Sequence, residues 1–473
     1  MASRGILSYG AYLPYRRLDR SEISAVAGTG GGRGTRTIAS YDEDATTMGV
    51  AAARSALRAA PDGVRPGALW FATASPPYLD KTNATAIHAA LRLDATTPAF
   101  DVNGAVRSAV GALRAALDST APSLVVTADM RTGRPGSADE STGGDAAAAM
   151  VVGSAEDGPV LAEVVATASA TEEFLDRWRI PGDSHSRQWE ERFGEGRYVA
   201  LGLAAWDDAL KAAGLVGDQV DRVVIATSHA RAAASLGKKL GLGDKLAAGL
   251  DATVGFTGAA QPGLLLAHVL DTAPAGQTIA LVVLADGADV VVLRTTDALA
   301  AGRATPTVAD QVAAGGAVPY GKVLAWRGYL PVEPPRRPEP ARPSASAAGR
   351  SRDWKFGFVG SQGDDGTVHL PPMPREDQAR PMAEATGTIV TYTVDRLAYS
   401  PSPPVIFAVV DFDGGGRLPV ELTDVDVDDV AIGGRVEMTF RKLFTADGIH
   451  NYFWKARPVR VPTTATATTA GER

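Results

Sequence analysis

Two stretches of the chain repeat one pattern. Residues 111–129 (GALRAALDSTAPSLVVTAD) and 263–286 (GLLLAHVLDTAPAGQTIALVVLAD) each read as a helix ending in Leu-Asp, a turn with Ala-Pro, and an apolar strand ending in Ala-Asp. A shorter pair, LWFATASPP (69–77) and VVIATSHAR (223–231), repeats a second strand with the turn after it. Strands apolar on both faces and interleaved with Ala/Leu-rich helices belong in a sheet covered on both sides. Two copies of such a unit predict a duplicated, pseudo-symmetric, layered α/β fold. We place its halves at residues 1–165 and 166–332.

The pattern then changes. Residues 333–352 (EPPRRPEPARPSASAAGRSR) are rich in Pro, Ala, Ser and Arg and read as a semi-extended linker. Five β-branched or aromatic runs follow (TGTIVTYTV, PPVIFAVVDF, RLPVEL, GGRVEMTFRKLF and NYFWKARPV), separated by Gly, Pro and Asp turns. That spacing predicts a small antiparallel barrel of five strands within a separate all-β domain at 353–461. Residues 462–473 are low-complexity and expected to be disordered. The glycine run from Gly28 to Gly34 lacks the flanking strand and helix of a phosphate-binding loop and reads as a plain turn.

The net charge of -7 leaves no excess of Lys and Arg to displace counterions from a nucleic acid. No apolar run approaches the ~18–20 residues that span a bilayer. With no secretory pattern at the N-terminus, a cytoplasmic protein is expected, with neither nucleic-acid nor membrane partners. The chain has no cysteine, which excludes disulfides, thiolate zinc sites and a thiol nucleophile.

Several segments carry a family resemblance in chain order: GILSYGAYLPYRRLDRSEI near the start, IASYDEDATTMGVAAARSAL (38–57), GGDAAAAMVVG (143–153), LDRWRIPGD (175–183) and VPYGKVLAWRGYL (318–330). Together they resemble the thiolase superfamily, specifically 3-hydroxy-3-methylglutaryl-CoA synthases of the archaeal and bacterial type. The region after the linker resembles the acyl-CoA-associated OB-fold domain that accompanies such enzymes as a separate chain. The resemblance implies a thiolase-like layered fold followed by an OB-fold barrel, and a homodimer.

At the functional positions the chain departs from that pattern. The family's cysteine, at the start of the central helix, matches Val106 in Phe100-Asp101-Val102-Asn103-Gly104-Ala105-Val106. Valine has no lone pair with which to attack a carbonyl, and Ser108 is turned roughly 200° away on a helix. The family's general-acid glutamate matches Ala74, and its asparagine matches Phe256. The base histidine survives as His229, flanked by Ser228, Asp251 and Thr257. Tyr78 and Tyr320 are candidate proton donors, though a packed core tyrosine with one hydrogen bond is the stronger reading of each. Tyr41, Asp42, Glu43 and Asp44 form an acidic cluster that capping of the next helix explains. Lys238 and Lys239 are within reach of CoA phosphates or lie on a solvated helix face. The relatives' zinc ribbon uses two Cys-x-x-Cys pairs. Gln362 and Asp365 stand near the first pair, and Glu376 and Ala379 near the second. Asp365, His369 and Glu376 are a weak metal set, so no zinc is expected.

The expected function is therefore Cys-independent chemistry on a CoA or carrier thioester, of the aldol or retro-aldol type, with His229 as base, Tyr320 and Tyr78 as donors, and no tightly bound cofactor. A partner enzyme of the same pathway fits the fusion. The alternative is a non-catalytic acyl-CoA-binding or scaffold protein, because Val106, Ala74 and Phe256 make the pocket more apolar. An acyl-enzyme synthase is excluded by the missing thiol.

Overall fold

The computed structural model describes residues 4–373 and 378–460, so Glu376 and the tail from 462 lie outside the described residues. Nine strands form the main sheet: β1 (Arg4–Tyr12), β2 (Ala68–Thr73), β3 (Ala99–Asn103), β4 (Ser123–Asp129), β5 (Ala146–Ser154), β6 (Ala162–Ala170), β7 (Arg222–Thr227), β8 (Thr278–Leu284) and β9 (Ala288–Thr295). Their spatial order is β7-β8-β9-β6-β1-β5-β4-β2-β3. The duplication is visible in the pairing. β2 runs parallel to β4, which is antiparallel to β5, and β7, β8 and β9 repeat that arrangement. β1 and β6 join the halves through the pairs Gly5–Glu163 and Ile6–Ala162.

Side chains alternate between two buried layers, as period-two strands require. Leu124 and Val126 of β4 face helix α1 (Ala45–Arg58). Val125, between them, faces the central layer formed by α2 (Ser108–Asp118) and α5 (Gln261–Leu270). On β8, Leu281 and Val283 face the same central layer, whereas Val282 and Leu284 meet α3 (Glu191–Ala213). The second half starts at β6, a few residues earlier than the sequence indicates. Its last segment returns to the first half, where Gln311 Oε1 accepts from Leu13 N at 2.9 Å and Gly316–Ala317 pair with Arg16–Arg17.

The segment expected as an extended linker carries two short helices, Ala345–Arg350 and Arg352–Lys355. The reason is local: the Ser344 hydroxyl caps the first, and Trp354 packs on Phe358 and Phe453. A three-stranded ribbon (Val359–Gln362, Val368–His369, Gln378–Pro381) precedes the barrel. The barrel strands are β10 (Thr386–Asp395), β11 (Val405–Phe412), β12 (Arg417–Leu422), β13 (Arg435–Ala446) and β14 (Ile449–Pro458), closed in the order β10-β11-β12-β14-β13.

The barrel closes on itself, yet its buried side chains are continuous with the first half. Phe440, Trp454 and Ala456 belong to the same cluster as Met48, Val50 and Phe71. Charge joins them as well. Lys455 Nζ lies 3.1 Å from Asp42 Oδ2 and 2.7 Å from Glu421 Oε2, and Arg441 bridges Glu43 and Asp424. Thr423 donates to Asp42 Oδ2 at 2.9 Å, and Tyr452 donates to Asp44 Oδ2 at 2.7 Å. Of the acidic cluster read as helix caps, only Asp44 caps α1. Asp42 and Glu43 dock the barrel instead.

Candidate functional site

The turn between β3 and α2 places Val106 half-buried on the wall of a cavity of about 450 Å³. Ala74 and Ser75 contribute another wall from the turn after β2, and Ser228 contributes from the pseudo-equivalent turn after β7. Both turns have one construction: Thr73 Oγ1 accepts from Ser75 N, and Thr227 Oγ1 accepts from His229 N, each at 3.0 Å. Arg107 holds the far side, with its Nη1 donating to Asp286 O at 2.8 Å and its Nε donating to Asp289 Oδ2 at 2.8 Å. Gly287 is required there, because a Cβ would lie 2.4 Å from that guanidinium. Ser108 is tied to Asn103 O and Ala105 N and does not line the cavity.

Four of the expected site residues take other roles. His229 is buried, and its ring caps helix α4 (Ala230–Lys239): Nδ1 accepts from Ala232 N at 3.1 Å, and Nε2 donates to Glu191 O at 2.8 Å. Both ring nitrogens are thus engaged within the protein. Tyr320 is buried in a separate cluster with Leu18 and Ile23 and donates to the Glu140 carboxylate at 2.9 Å. The Tyr78 hydroxyl accepts from His450 N at 2.6 Å, at the contact with the barrel. Thr257 is fully buried and bonded to Gln261 Oε1 at 2.7 Å. Lys238 and Lys239 are exposed at the end of α4 and line neither of the cavities described here.

The cavity holds polar groups that sequence reasoning passed over. Asp176 is buried, its Oδ1 has no hydrogen-bond partner among the described residues, and its Oδ2 lies 3.4 Å from the Tyr198 hydroxyl. The same hydroxyl lies 3.4 Å from Asp286 N. Burial, and then the nearby Asp176 charge, raise the Asp286 carboxyl above its ordinary value. Gly194 of α3 lets these groups close up: a Cβ there would meet Asp176 Oδ1 at 2.7 Å and His229 Cδ2 at 3.5 Å. The signals were present, since Asp176 lies in LDRWRIPGD and Asp286 ends the second copy of the repeat. Its counterpart in the first copy, Asp129, is fully buried and accepts from Thr73, Ser75 and the amides of Ala74 and Ala259.

A neighbouring cavity of about 290 Å³ is lined by Phe256, Asp251 and Gln261 and shares Arg131, Arg177 and Ser228 with the first. Arg177 is committed to Asp139 by two bonds of 2.6 and 2.7 Å. In the ribbon, Gln362 and Ala379 sit in paired strands, and Asp365 holds a turn by accepting from Thr367. An amide, a methyl and a carboxylate there do not fit a four-thiolate zinc site.

A family model described as "ChsH2, C-terminal OB-fold domain" matches residues 379–441. Hydroxymethylglutaryl-CoA synthase of Pyrococcus furiosus is 31% identical over 301 residues, covering 61% of this chain and 85% of the relative. Among solved structures, PksG, an HMG-CoA synthase from Bacillus subtilis, superposes with TM-score 0.61 at 17% identity, over 69% of this chain and 89% of the other. MvaS in complex with 3-hydroxy-3-methylglutaryl coenzyme A gives TM-score 0.58 at 21% identity, covering 73% and 95%. With this shared layered fold and that level of identity, the chain belongs to the hydroxymethylglutaryl-CoA synthase family, carrying an OB-fold barrel behind its α/β body.

Proposed function

We propose that this protein is an enzyme acting on a CoA or carrier thioester in the Val106 cavity, through carbon–carbon chemistry that never acylates the protein. The observation that carries the reading is the wall itself. Where the family resemblance puts a thiolate and a carboxylate there are Val106 and Ala74, yet the cavity persists and holds Asp176, Tyr198, Asp286 and Ser228. Ser228 Oγ makes no hydrogen bond to another protein group among the described residues, which leaves it able to donate to a thioester oxygen.

In the retro-aldol direction, a 3-hydroxyacyl thioester gives up its hydroxyl proton to the carboxylate of Asp176, a residue that lines the cavity. The Cα–Cβ bond breaks, a ketone or aldehyde leaves, and the electron pair enters the thioester as an enolate. Proton return to Cα, from Asp176 or the raised Asp286 carboxyl, completes a shortened acyl thioester. His229 supports this from behind by fixing the start of α4 and packing on Tyr198, with ring centroids 5.8 Å apart. Tyr320 and Tyr78 take no part.

One set of observations favours the second reading, a binding or scaffold protein: the three expected acid–base side chains are all committed to structural hydrogen bonds. A panel of 3-hydroxyacyl-CoA thioesters, assayed for cleavage products, separates the two. Turnover that falls about 100-fold or more in Asp176→Asn, with thioester binding retained, is the expected result. Binding without any product from the panel would support the scaffold instead.

A further inference from the structure

We infer that Arg131 is an anion anchor and that the thioester taken by this cavity carries a carboxylate on its acyl chain; this deepens the proposed function and rests on it. Arg131 follows β4 directly, and its backbone is clamped. Its amide donates to Asp145 Oδ1 at 2.7 Å, and its carbonyl accepts from Arg36 Nη2 at 2.8 Å. The side chain then runs past Gly143, where a Cβ would come within 2.9 Å of Arg131 Cβ, and lines both cavities. Its guanidinium lies 5.5 Å from the Phe256 ring centroid, over the residue matched to the family's asparagine.

No carboxylate of the protein pairs with it. Asp129 is saturated by hydroxyls and amides, Asp139 is held by Arg177, and Asp145 is held by Arg327 at 2.7 Å. Burial depresses the proton affinity of Arg131, and the Asp129 charge opposes that, but the group stays a cation. A half-buried guanidinium with only an aromatic face for company leaves its planar edge of donors unused, and that edge matches a carboxylate two-for-two. Keeping a desolvated cation unpaired is unfavourable unless a ligand completes it. The thioester end then lies beside Val106 and Ser228, and the chain's acidic end reaches Arg131, at the wall the two cavities share.

A phosphate of CoA would offer the same chemistry, so the test separates the sources. Binding of glutaryl-CoA, pentanoyl-CoA and coenzyme A to the full chain is measured by calorimetry for wild type, Arg131→Met and Arg131→Lys. Glutaryl-CoA is expected to bind wild type about tenfold or more tighter than pentanoyl-CoA. Arg131→Met should erase that preference without weakening coenzyme A, and Arg131→Lys should keep part of it. Equal affinities of the two thioesters for wild type, or an equal loss of all three ligands in Arg131→Met, would overturn the inference. Val106→Trp fills the cavity: if it leaves thioester binding unchanged, or if wild type binds none of the probes, the proposed function falls as well. Loss of all thioester binding in Val106→Trp alongside an absent glutaryl preference in wild type refutes the carboxylate anchor alone.

Discussion

Valine at position 106 and alanine at 74 present only C–H surface to a cavity that Asp176, Tyr198, Ser228 and Asp286 also line. Both positions were legible from short motifs, because a strand end and a helix start fix where a side chain emerges. The same logic failed for His229. Its position at the end of a strand was right, but what its ring meets depends on Glu191, 38 residues away, and on the helix it caps. The two aspartates that end the repeated strands show the limit from the other side: equal in sequence, one is sealed by five donors and the other faces the cavity. A third buried carboxyl offers a test at this scale. Asp271 accepts from Tyr9 at 3.0 Å and from Val308 N at 2.8 Å, and burial raises it from 3.8 to about 6. A carboxyl raised in the folded state adds stability while protonated, and that contribution is lost as pH climbs from the unfolded value through about 6. Between about pH 3 and pH 7, Asp271→Asn should therefore gain about 1–3 kcal/mol relative to wild type in chemical denaturation. A difference that does not change with pH would contradict this.

Helix α1 is where sequence reading and structure diverge most among the elements. Its cap was legible, since Asp44 and Thr47 form a reciprocal capping box. What lay outside reach was that Asp42 and Glu43, two residues of the same signature, are the counter-ions of Lys455 and Arg441 some 400 positions later. Burial alone would raise Asp42, but Lys455 and then Arg441 outweigh it and hold the carboxyl below its ordinary value. At Glu43 burial wins and the carboxyl is raised. Because both partners are buried, removing one strands the other. Lys455→Met should cost about 3–5 kcal/mol, and adding Asp42→Asn should return a substantial part of that loss. Guanidinium denaturation of the two single variants and the double variant checks it; strictly additive losses would show that the pair is not coupled. The barrel's five runs, by contrast, were legible as strands. Their alternation is local, whereas their partner surface is not.

For the molecule as a whole, the fused barrel does not hang from a linker. It shares a core with α1, so the proline-rich segment connects two parts that pack as one. β3 is an edge strand of the nine-stranded sheet, with Phe100 45% exposed on it. An unprotected edge of this kind pairs readily with another strand. We propose that a second copy adds there, as the family resemblance implies, giving twice 48.9 kDa in light scattering and a monomer for Phe100→Asp. A wild-type monomer at micromolar concentration would refute the proposal. The duplicated α/β plan could be read from the chain because the repeat left matched helices, turns and strand ends. The return of residues 308–326 to the first half could not, since it rests on single contacts such as Gln311 with Leu13.

We propose that thioester chemistry in this cavity bypasses any covalent attachment to the protein. Intact mass spectrometry of the full chain, acid-quenched during incubation with acetyl-CoA and with a turned-over 3-hydroxyacyl-CoA, tests it most directly. An unmodified protein mass at every time point while product accumulates is the expected result; an acyl adduct that forms and decays at the rate of turnover would refute the non-covalent route.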